Sequence, residues 1–329
     1  MLMLSRKSTW LYVCYNIFME IPITQSEYWH KLQEDLGEES IFVKEDDYQY
    51  LVMIKSTPTG KYLYCPYGPV AKDRTSFKQG IDSVTELAKK HSAIFVRVEP
   101  FLEEYADALP NNAKKSTDLN PKETWILDLT GNDDTLKSKL PSRLLRYHKS
   151  ASKKGITIEQ SNNPEDIKYL LKLQQDLADK KGISTFSENY LKTELKQPFS
   201  TLYLMHYQPE GQKNKEIVAA GLVFDDKTTR YNLQGAQSDT GRKLHATGIL
   251  TIQLILDAHA KHLKKFDFWG IAPDDAPDNH PWKGFTAFKK TFNGTEVRHA
   301  GTYDIVLKPA KYHFYQIFRK INRFIRKNK

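Results

Sequence analysis

One succession of predicted elements occurs twice along the chain, and this duplication constrains the fold more than any other feature. In the first copy, strands are expected at 41–44, 48–55, 61–66 and 93–98, with a helix at 77–91. In the second copy, strands are expected at 201–206, 216–224, 230–233 and 266–269, with a helix at 246–263. Each copy is three strands, a helix and a fourth strand, so the chain is predicted to be α/β (α+β), with two similar domains in tandem rather than one large sheet.

The polar, proline-containing stretch 111–121 separates the two copies. We therefore expect a first domain at 19–120, a second at 121–307 and a C-terminal helix at 308–329. The elements expected between the copies are a strand at 124–129 and helices at 136–154 and 164–180.

Residues 1–18 are interpreted as an extension before the first domain. The apolar run from Trp10 to Met19 is roughly half as long as a membrane-spanning helix, and no small-residue cleavage site follows it. A start at Met19, a short membrane anchor and a signal peptide are the three interpretations. We expect the protein in the cytoplasm.

The positive charge is concentrated at the C-terminal end. Lys and Arg number 49 against 40 Asp and Glu, for a net charge of +9. Eight basic residues and no acidic ones follow Asp304, so the rest of the chain is nearly neutral and does not by its charge predict a nucleic-acid-binding body. Two cysteines, Cys14 and Cys65, are too few for a disulfide framework or a four-thiolate zinc site, which favours a reducing compartment.

Familiar catalytic motifs are absent from the sequence, which narrows its function. It has no G-x-x-x-x-G-K-[ST] loop, G-x-G-x-x-G turn, G-x-S-x-G elbow or H-E-x-x-H pair. The repeated order of strands resembles acetyltransferase (GNAT-like) domains, which hold the CoA pyrophosphate in a glycine-containing turn before a helix. The equivalent segment, 237–243, lacks the second glycine. Acyl-CoA use is therefore disfavoured, because main-chain donors gather around a pyrophosphate only where side chains are small.

Short motifs along nearly the whole chain resemble the Fem-type (FemABX) nonribosomal peptidyltransferases. They are YCPYGPV at 64–70, VRVEP at 96–100, TWILDL at 124–129, RYHK at 146–149, KKGI at 153–156, GAQS at 235–238, FDFWGI at 266–271 and GFTAFKKTF at 284–292. The resemblance implies transfer of an amino acid from aminoacyl-tRNA to the stem-peptide amine of a peptidoglycan precursor, a lipid-linked or UDP-linked muramyl pentapeptide. It implies no metal or redox cofactor, and a monomer is expected.

The implied reaction is aminolysis of an ester, which needs two bound anionic substrates, a proton acceptor and a group that offsets oxyanion charge. Lys289 matches the family's Phe-Lys pair, whose lysine is assigned to contact with the tRNA end or the transition state. The alternative is a solvated lysine on a short helix. Glu99 lies where relatives carry an acid proposed to assist deprotonation, and its alternative role is a cap for the helix that follows.

The resemblance also supplies candidates for substrate binding. They are Tyr64, Tyr67, Gly68, Phe288, Tyr190 and Gly235. The first three share a loop after the third strand, which the resemblance places against the muramyl-peptide or uridine end of the precursor. Ordinary turn residues are the alternative for that loop.

Seven Lys and Arg residues and no acid lie between 137 and 154. This run predicts either a solvated helix face or a surface that follows the phosphates of the tRNA acceptor stem or of a substrate diphosphate. The candidate phosphate contacts are Arg143, Arg146, Lys149 and Lys153.

Two positions depart from the family pattern. Relatives often carry a lysine after the tryptophan of the first helix, where this chain has Gln33 after Trp29. Many carry an arginine before the helix tyrosine, where this chain has Thr185 and Phe186. Either other basic residues contact the precursor phosphates or the acceptor is bound differently.

The C-terminal segment 312–329 predicts a basic amphipathic helix. Its apolar residues at helical spacing are Phe314, Ile317, Phe318, Ile321, Phe324 and Ile325, with Lys and Arg on the flanks. Such a helix is typical of a membrane interface, where each basic residue near an anionic leaflet contributes about 1 kcal/mol. Packing of the stripe on the protein body and contact with RNA are the alternatives.

The sequence therefore predicts a cytoplasmic aminoacyltransferase, peripheral on the inner face of the membrane, that acts in formation of the interpeptide bridge. Its partners would be aminoacyl-tRNA and the muramyl-pentapeptide precursor. An acyl-CoA-dependent N-acyltransferase and a non-catalytic RNA- or membrane-binding module are the alternatives. The prediction requires Glu99 and Lys289 to share one cleft.

Overall fold

The computed structural model describes residues 20–181 and 185–327, apart from the side chains of 179–181 and 322–327. The expected N-terminal extension, 1–18, lies outside the described residues. Two mixed sheets with helices packed on them follow one another along the chain, and the predicted α/β class is confirmed.

The strands of the described residues are β1 (Ser40–Lys44), β2 (Tyr48–Thr57), β3 (Gly60–Cys65), β4 (Val70–Ala71), β5 (Phe95–Val98), β6 (Ala113–Lys115), β7 (Glu123–Asp128), β8 (Ile156–Ser161), β9 (Ser200–Tyr207), β10 (Glu216–Asp225), β11 (Thr229–Gln237), β12 (Lys265–Gly270), β13 (Thr295–Arg298) and β14 (Tyr303–Val306). The helices are α1 (Glu27–Asp35), α2 (Arg74–Lys90), α3 (Asp133–Lys139), α4 (Ser142–Ser150), α5 (Ile167–Lys181), α6 (Glu188–Leu195), α7 (Asp239–Lys243), α8 (Ala246–Ala260), α9 (Lys283–Lys290) and α10 (Pro309–Lys327). Strand order in the first sheet is β1-β2-β3-β5-β14-β6, with β4 beside β2, and in the second β13-β7-β12-β11-β10-β9-β8.

Both sheets contain a parallel pair whose strands are connected through a helix. In the first sheet, β3 lies parallel to β5 and α2 connects them. In the second, β11 lies parallel to β12, and α7 and α8 connect them. Asp73 caps α2 by accepting from Ser76 N at 2.8 Å, and the buried residues Phe77, Ile81 and Val84 pack the helix on its sheet. The two sheets thus carry the duplicated topology that the sequence predicts.

The chain returns to the first sheet at its C-terminal end. Strand β14 pairs with β5 and β6, although the predicted second domain, 121–307, includes it. The buried Arg97 guanidinium donates to both oxygens of Asp304, at 2.7 and 2.8 Å, and Tyr312 of α10 donates to the same carboxylate. Because an unpaired buried charge is strongly unfavourable, this pairing holds β14 in the first sheet. The rest of the predicted domain division remains a prediction.

The N-terminal helix crosses in the other direction. Leu32 of α1 and Ile23, which precedes this helix, belong to an apolar cluster of the second domain. Its other members include Leu191, Leu195 and Phe199. Each domain is therefore completed by a segment from the other side of the 111–121 connection.

The expected continuous helix at 136–154 is wrong. The chain forms α3 and α4 instead, with Leu140 extended at φ −90° and ψ 145°. Pro141 explains the break, because proline lacks an N–H donor and disfavours the helical conformation of the residue before it.

Candidate active site

A cavity of about 800 Å³ opens in the second domain where two parallel strands separate. Strand β11 pairs with β12 only as far as Tyr231, opposite Asp267, and then continues beside β10 alone. The cavity is lined by both strands beyond this split, by α8 and α9, and by the connection at 119–121. A crevice beyond the carboxyl ends of parallel strands is the usual ligand site of such sheets.

Lys289 lines this cavity from the last turn of α9. Its ammonium donates to the Gly270 carbonyl at 2.5 Å. Burial lowers the pKa of Lys289 to about 8, and the charge of Asp267 opposes part of that effect. A cation partly shielded from water at a cavity wall can stabilise negative charge that develops on a bound substrate.

The turn after β12 positions the carbonyl that Lys289 contacts. Trp269 has φ +65°, a left-handed conformation that is unfavourable for a residue with a side chain. Its amide donates to the buried Asp267 at 2.7 Å, whose pKa burial raises to about 7. At Gly270, a Cβ would lie 2.5 Å from Pro121, so only glycine allows the connection to approach this turn.

Glu99 lies behind the cavity wall. It is 2% exposed and accepts five hydrogen bonds, which come from the Tyr64 and Thr302 hydroxyls, the amides of Leu119 and Asn120 and the Asn120 side chain. These donors lie in the 119–121 connection, β3 and the approach to β14, not in the helical turn that follows Glu99. Glu99 does not line the cavity with Lys289, whereas Asn120, which donates to Glu99, does. The two predicted catalytic residues therefore do not both face this cavity, and Glu99 is connected to it through Asn120.

The Tyr64 loop also packs inside the protein. Tyr67 is 3% exposed, its hydroxyl donates to the Pro121 carbonyl at 2.7 Å, and its ring contacts Trp269. At Gly68, a Cβ would lie 2.6 Å from the Gln25 side chain. Tyr64, Tyr67 and Gly68 are not among the residues that line the cavity. Their predicted contact with substrate remains a prediction.

Phe288 and Gly235 line the cavity together with Lys289. Tyr190 lies one layer further out, with its ring stacked on that of Phe186, a lining residue, at 4.9 Å between centroids. Burial, with the neighbouring Glu194 carboxyl, raises the pKa of Tyr190. Three of the substrate and catalytic candidates thus meet at one cavity, and Tyr190 supports its rim.

The predicted phosphate contacts share one exposed face. Arg143, Arg146 and Lys149 lie on α4, and Lys153 lies in the turn after it. Helix α4 packs closely on α8, since a Cβ at Gly248 would lie 2.6 Å from Leu144. The first turns of α8 line the cavity, so the basic face is one helix away from it.

Several cavity residues were not predicted from the sequence. Asn120, Arg242 and Trp282 line the cavity. Glu194 does not line it, but it is a buried carboxyl beside Tyr190, and burial raises the pKa of Glu194 to about 8. The Asn-Pro pair at 120–121 indicates a turn between domains, but its place at the cavity depends on residues distant in sequence. Within residues 20–181 and 185–327, no cluster of three His, Cys, Asp or Glu side chains is arranged to hold a metal ion.

Comparison with known proteins gives one family and several similar folds. The FemAB family model matches residues 201–320. The crystal structure of FemX is 17% identical, with a TM-score of 0.75 over 89% of this chain and 94% of that one. The C-terminal domain of a putative lysylphosphatidylglycerol synthetase from Agrobacterium fabrum is 14% identical, with a TM-score of 0.58 over 88% of this chain and 90% of that one.

L-PGS from Bacillus licheniformis is 15% identical, with a TM-score of 0.56 over 90% of this chain and 96% of that one. No curated protein sequence matches the chain. The fold shared with FemX agrees with the predicted tandem acetyltransferase-like domains. The FemAB match covers Gly235, Phe288 and Lys289. Together with the fold shared with FemX, it confirms the predicted resemblance to the Fem-type family and the predicted enzyme class, aminoacyltransferase.

Proposed function

We propose that the protein transfers an amino acid from aminoacyl-tRNA to the stem-peptide amine of a muramyl-pentapeptide precursor. The observation that carries the proposal is a half-buried lysine, Lys289, on a cavity large enough for the ester end of one substrate and the amine of another. The fold shared with FemX supports the same reaction class. Aminoacyl-tRNA as donor implies that the enzyme works in the cytoplasm.

The proposed chemistry balances without a co-reactant. The stem amine attacks the ester carbonyl carbon, and the carbonyl electrons move to oxygen as the C–N bond forms. Collapse of this oxyanion breaks the bond to the ribose oxygen, which gains a proton while the amine loses one. The Lys289 ammonium would stabilise the oxyanion, and binding both substrates in one cavity would supply the proximity that such a reaction needs.

Two features favour tRNA over acyl-CoA as donor. The exposed basic face of α4, which packs on α8 and is separated from the cavity by that helix, suits a phosphate backbone. In addition, the Gln237 side chain accepts from Thr247 N at 3.2 Å. It therefore occupies a main-chain donor in the first turn of α8, where a pyrophosphate would need free donors.

The transfer reaction can be tested directly. Purified protein is incubated with tRNA charged with a labelled amino acid and with UDP-muramyl pentapeptide or its lipid-linked form, and label in the precursor is measured. We expect transfer that ribonuclease abolishes. Transfer from acyl-CoA instead would establish the acyltransferase alternative, and binding of both substrates without product would establish a non-catalytic module.

A lipid acceptor is the second candidate function. It rests on the fold shared with the two lysylphosphatidylglycerol synthetase structures and on the exposed apolar face of α10. Vesicles of phosphatidylglycerol, added in place of the muramyl precursor, test it in the same assay. Labelled lipid would favour this acceptor over the stem amine.

We also propose that α10 attaches the protein to an anionic membrane. Tyr312 and Tyr315 pack α10 on Phe95 of the first domain. The opposite face is exposed, with Phe314 at 57%, Ile317 at 41%, Phe318 at 46% and Ile321 at 49%. The side chains of Phe324 and Ile325 lie outside the described residues. No helix in the described part of the chain is long and apolar enough to cross a bilayer.

A further inference from the structure

We propose that Asn120 presents a fixed hydrogen-bond acceptor to the attacking amine, and that Glu99 acts through it as a positioning residue. This inference rests on the proposed function, because it assigns a residue to the amine that the transfer reaction consumes. Asn120 lies in the connection between the two domains and lines the same cavity as Lys289.

The hydrogen bonds around Asn120 determine which way its amide points. Its Nδ2 donates to Glu99 at 2.7 Å and to the Tyr64 hydroxyl at 2.8 Å. The Tyr64 hydroxyl donates its own proton to Glu99 at 2.9 Å, so it must accept from Asn120. Both Nδ2 hydrogens are thereby used behind the cavity wall, and the Oδ1 acceptor is the part of the side chain left for the cavity.

The support behind Asn120 is rigid. Its main-chain amide also donates to Glu99, at 3.2 Å, and the Thr302 hydroxyl holds the same carboxylate oxygen at 2.8 Å. Pro121, the next residue, accepts from Tyr67 at 2.7 Å. The connection is thus fixed on both sides of the amide, as a group that orients a substrate requires.

The Glu99 charge reaches the cavity through this amide. A carboxylate that accepts from Nδ2 polarises the amide and makes Oδ1 a stronger acceptor. An amide oxygen can accept from an ammonium or an amine but cannot take its proton. Asn120 would therefore orient the amine towards the ester carbonyl that Lys289 faces. The group that Asn120 would recognise is a primary amine on a flexible chain.

The test is a coupling measurement between Asn120 and the substrate amine. Isothermal calorimetry gives the affinity for a UDP-muramyl pentapeptide with lysine in the stem, and for the same precursor with norleucine in its place, which lacks the amine. We expect wild type to prefer the lysine form about tenfold, the effect of one hydrogen bond to a charged group. In Asn120→Ala the preference should fall to within about twofold.

Asn112→Ala is the matched control, because it removes from the same 111–121 connection an asparagine amide that donates to the Val306 carbonyl, at 2.9 Å, and not to Glu99. It should keep the lysine preference. If Asn120→Ala does not fold, Asn120→Ser serves instead, because it also removes the amide oxygen but keeps a polar side chain beside the Glu99 carboxylate.

An unchanged preference in a folded Asn120 variant would overturn the assignment of Asn120 while the transfer activity of wild type stands. Absence of both precursor binding and transfer in wild type would overturn the proposed function itself. The two failures are therefore distinguishable.

Discussion

Lys289 is a cation in a place that disfavours charge. Burial lowers its pKa to about 8 from an ordinary value of 10.5, so the ammonium destabilises the fold at neutral pH. We expect Lys289→Met to raise the free energy of unfolding at pH 7 by roughly 1 kcal/mol, allowing for solvent screening and the lost bond to Gly270. The same variant should lose turnover about 100-fold, the typical effect of one oxyanion donor. Denaturant unfolding and initial transfer rates measure the two effects.

The pH dependence of the Lys289→Met stability gain has a defined sign. The folded chain releases the Lys289 proton at a lower pH than the unfolded chain, so wild-type stability recovers as pH rises from about 8 towards 10.5. The advantage of the variant should shrink over that range. Lys290→Met is the control, because Lys290 is paired with Asp274 and Glu296 at the surface and should show neither effect. Wild-type turnover in Lys289→Met would remove Lys289 from the mechanism.

Three candidate residues from the sequence motifs lie at the cavity, whereas the position of Glu99 could not be predicted because it depends on residues distant in sequence. Lys289, Phe288 and Gly235 lie in motifs quoted from the sequence, and all three line the cavity. Glu99 was predicted to face the reacting amine, but its place behind Asn120 depends on donors at Tyr64 and Thr302. No pattern in a single sequence indicates that these residues meet.

At the scale of elements, α10 offers a direct test of the proposed membrane contact. We expect the double variant Phe314→Ser/Phe318→Ser to lose flotation with phosphatidylglycerol vesicles, because it removes about half of the exposed apolar face that would enter the interface. Tyr312 and Tyr315 remain to hold the helix on the first domain. The measurement is the fraction of protein that floats with vesicles in a density gradient.

His313→Ser serves as control on the same helix, since His313 is exposed and polar. It should float as wild type does. Flotation of wild type with neutral phosphatidylcholine vesicles to the same extent would contradict the role of the basic flanks, and retained flotation of the double variant would contradict the apolar contact.

Helices were more predictable than strand partners. The helical spacing at 312–329 predicted the helix that the structure describes as α10 up to Lys327, since that period depends only on nearby residues. The break between α3 and α4 had a local signal in Pro141, which the basic pattern obscured. The pairing of β14 with β5 had no local signal, because the sheet that a short strand joins is decided by distant residues such as Arg97.

For the whole molecule, the crossed segments predict that the two domains unfold together. Strand β14 and α10 complete the first domain, while α1 packs on the second. We expect calorimetry to show a single transition whose van't Hoff and calorimetric enthalpies agree. Asp304→Ala should lower the stability of that transition by about 3–5 kcal/mol, because it leaves Arg97 buried without its partner.

Asp47→Ala is the matched control, since it breaks an exposed pair with Lys72 and should cost less than about 1 kcal/mol. Two separate transitions, of which Asp304→Ala moves only one, would show that the domains fold independently. In that case the 119–121 connection could move between them, and the cavity wall formed by Asn120 would not be fixed. A single transition that Asp304→Ala shifts as a whole would instead mean that the Arg97–Asp304 pair stabilises both domains together, and with them the wall of the candidate active site.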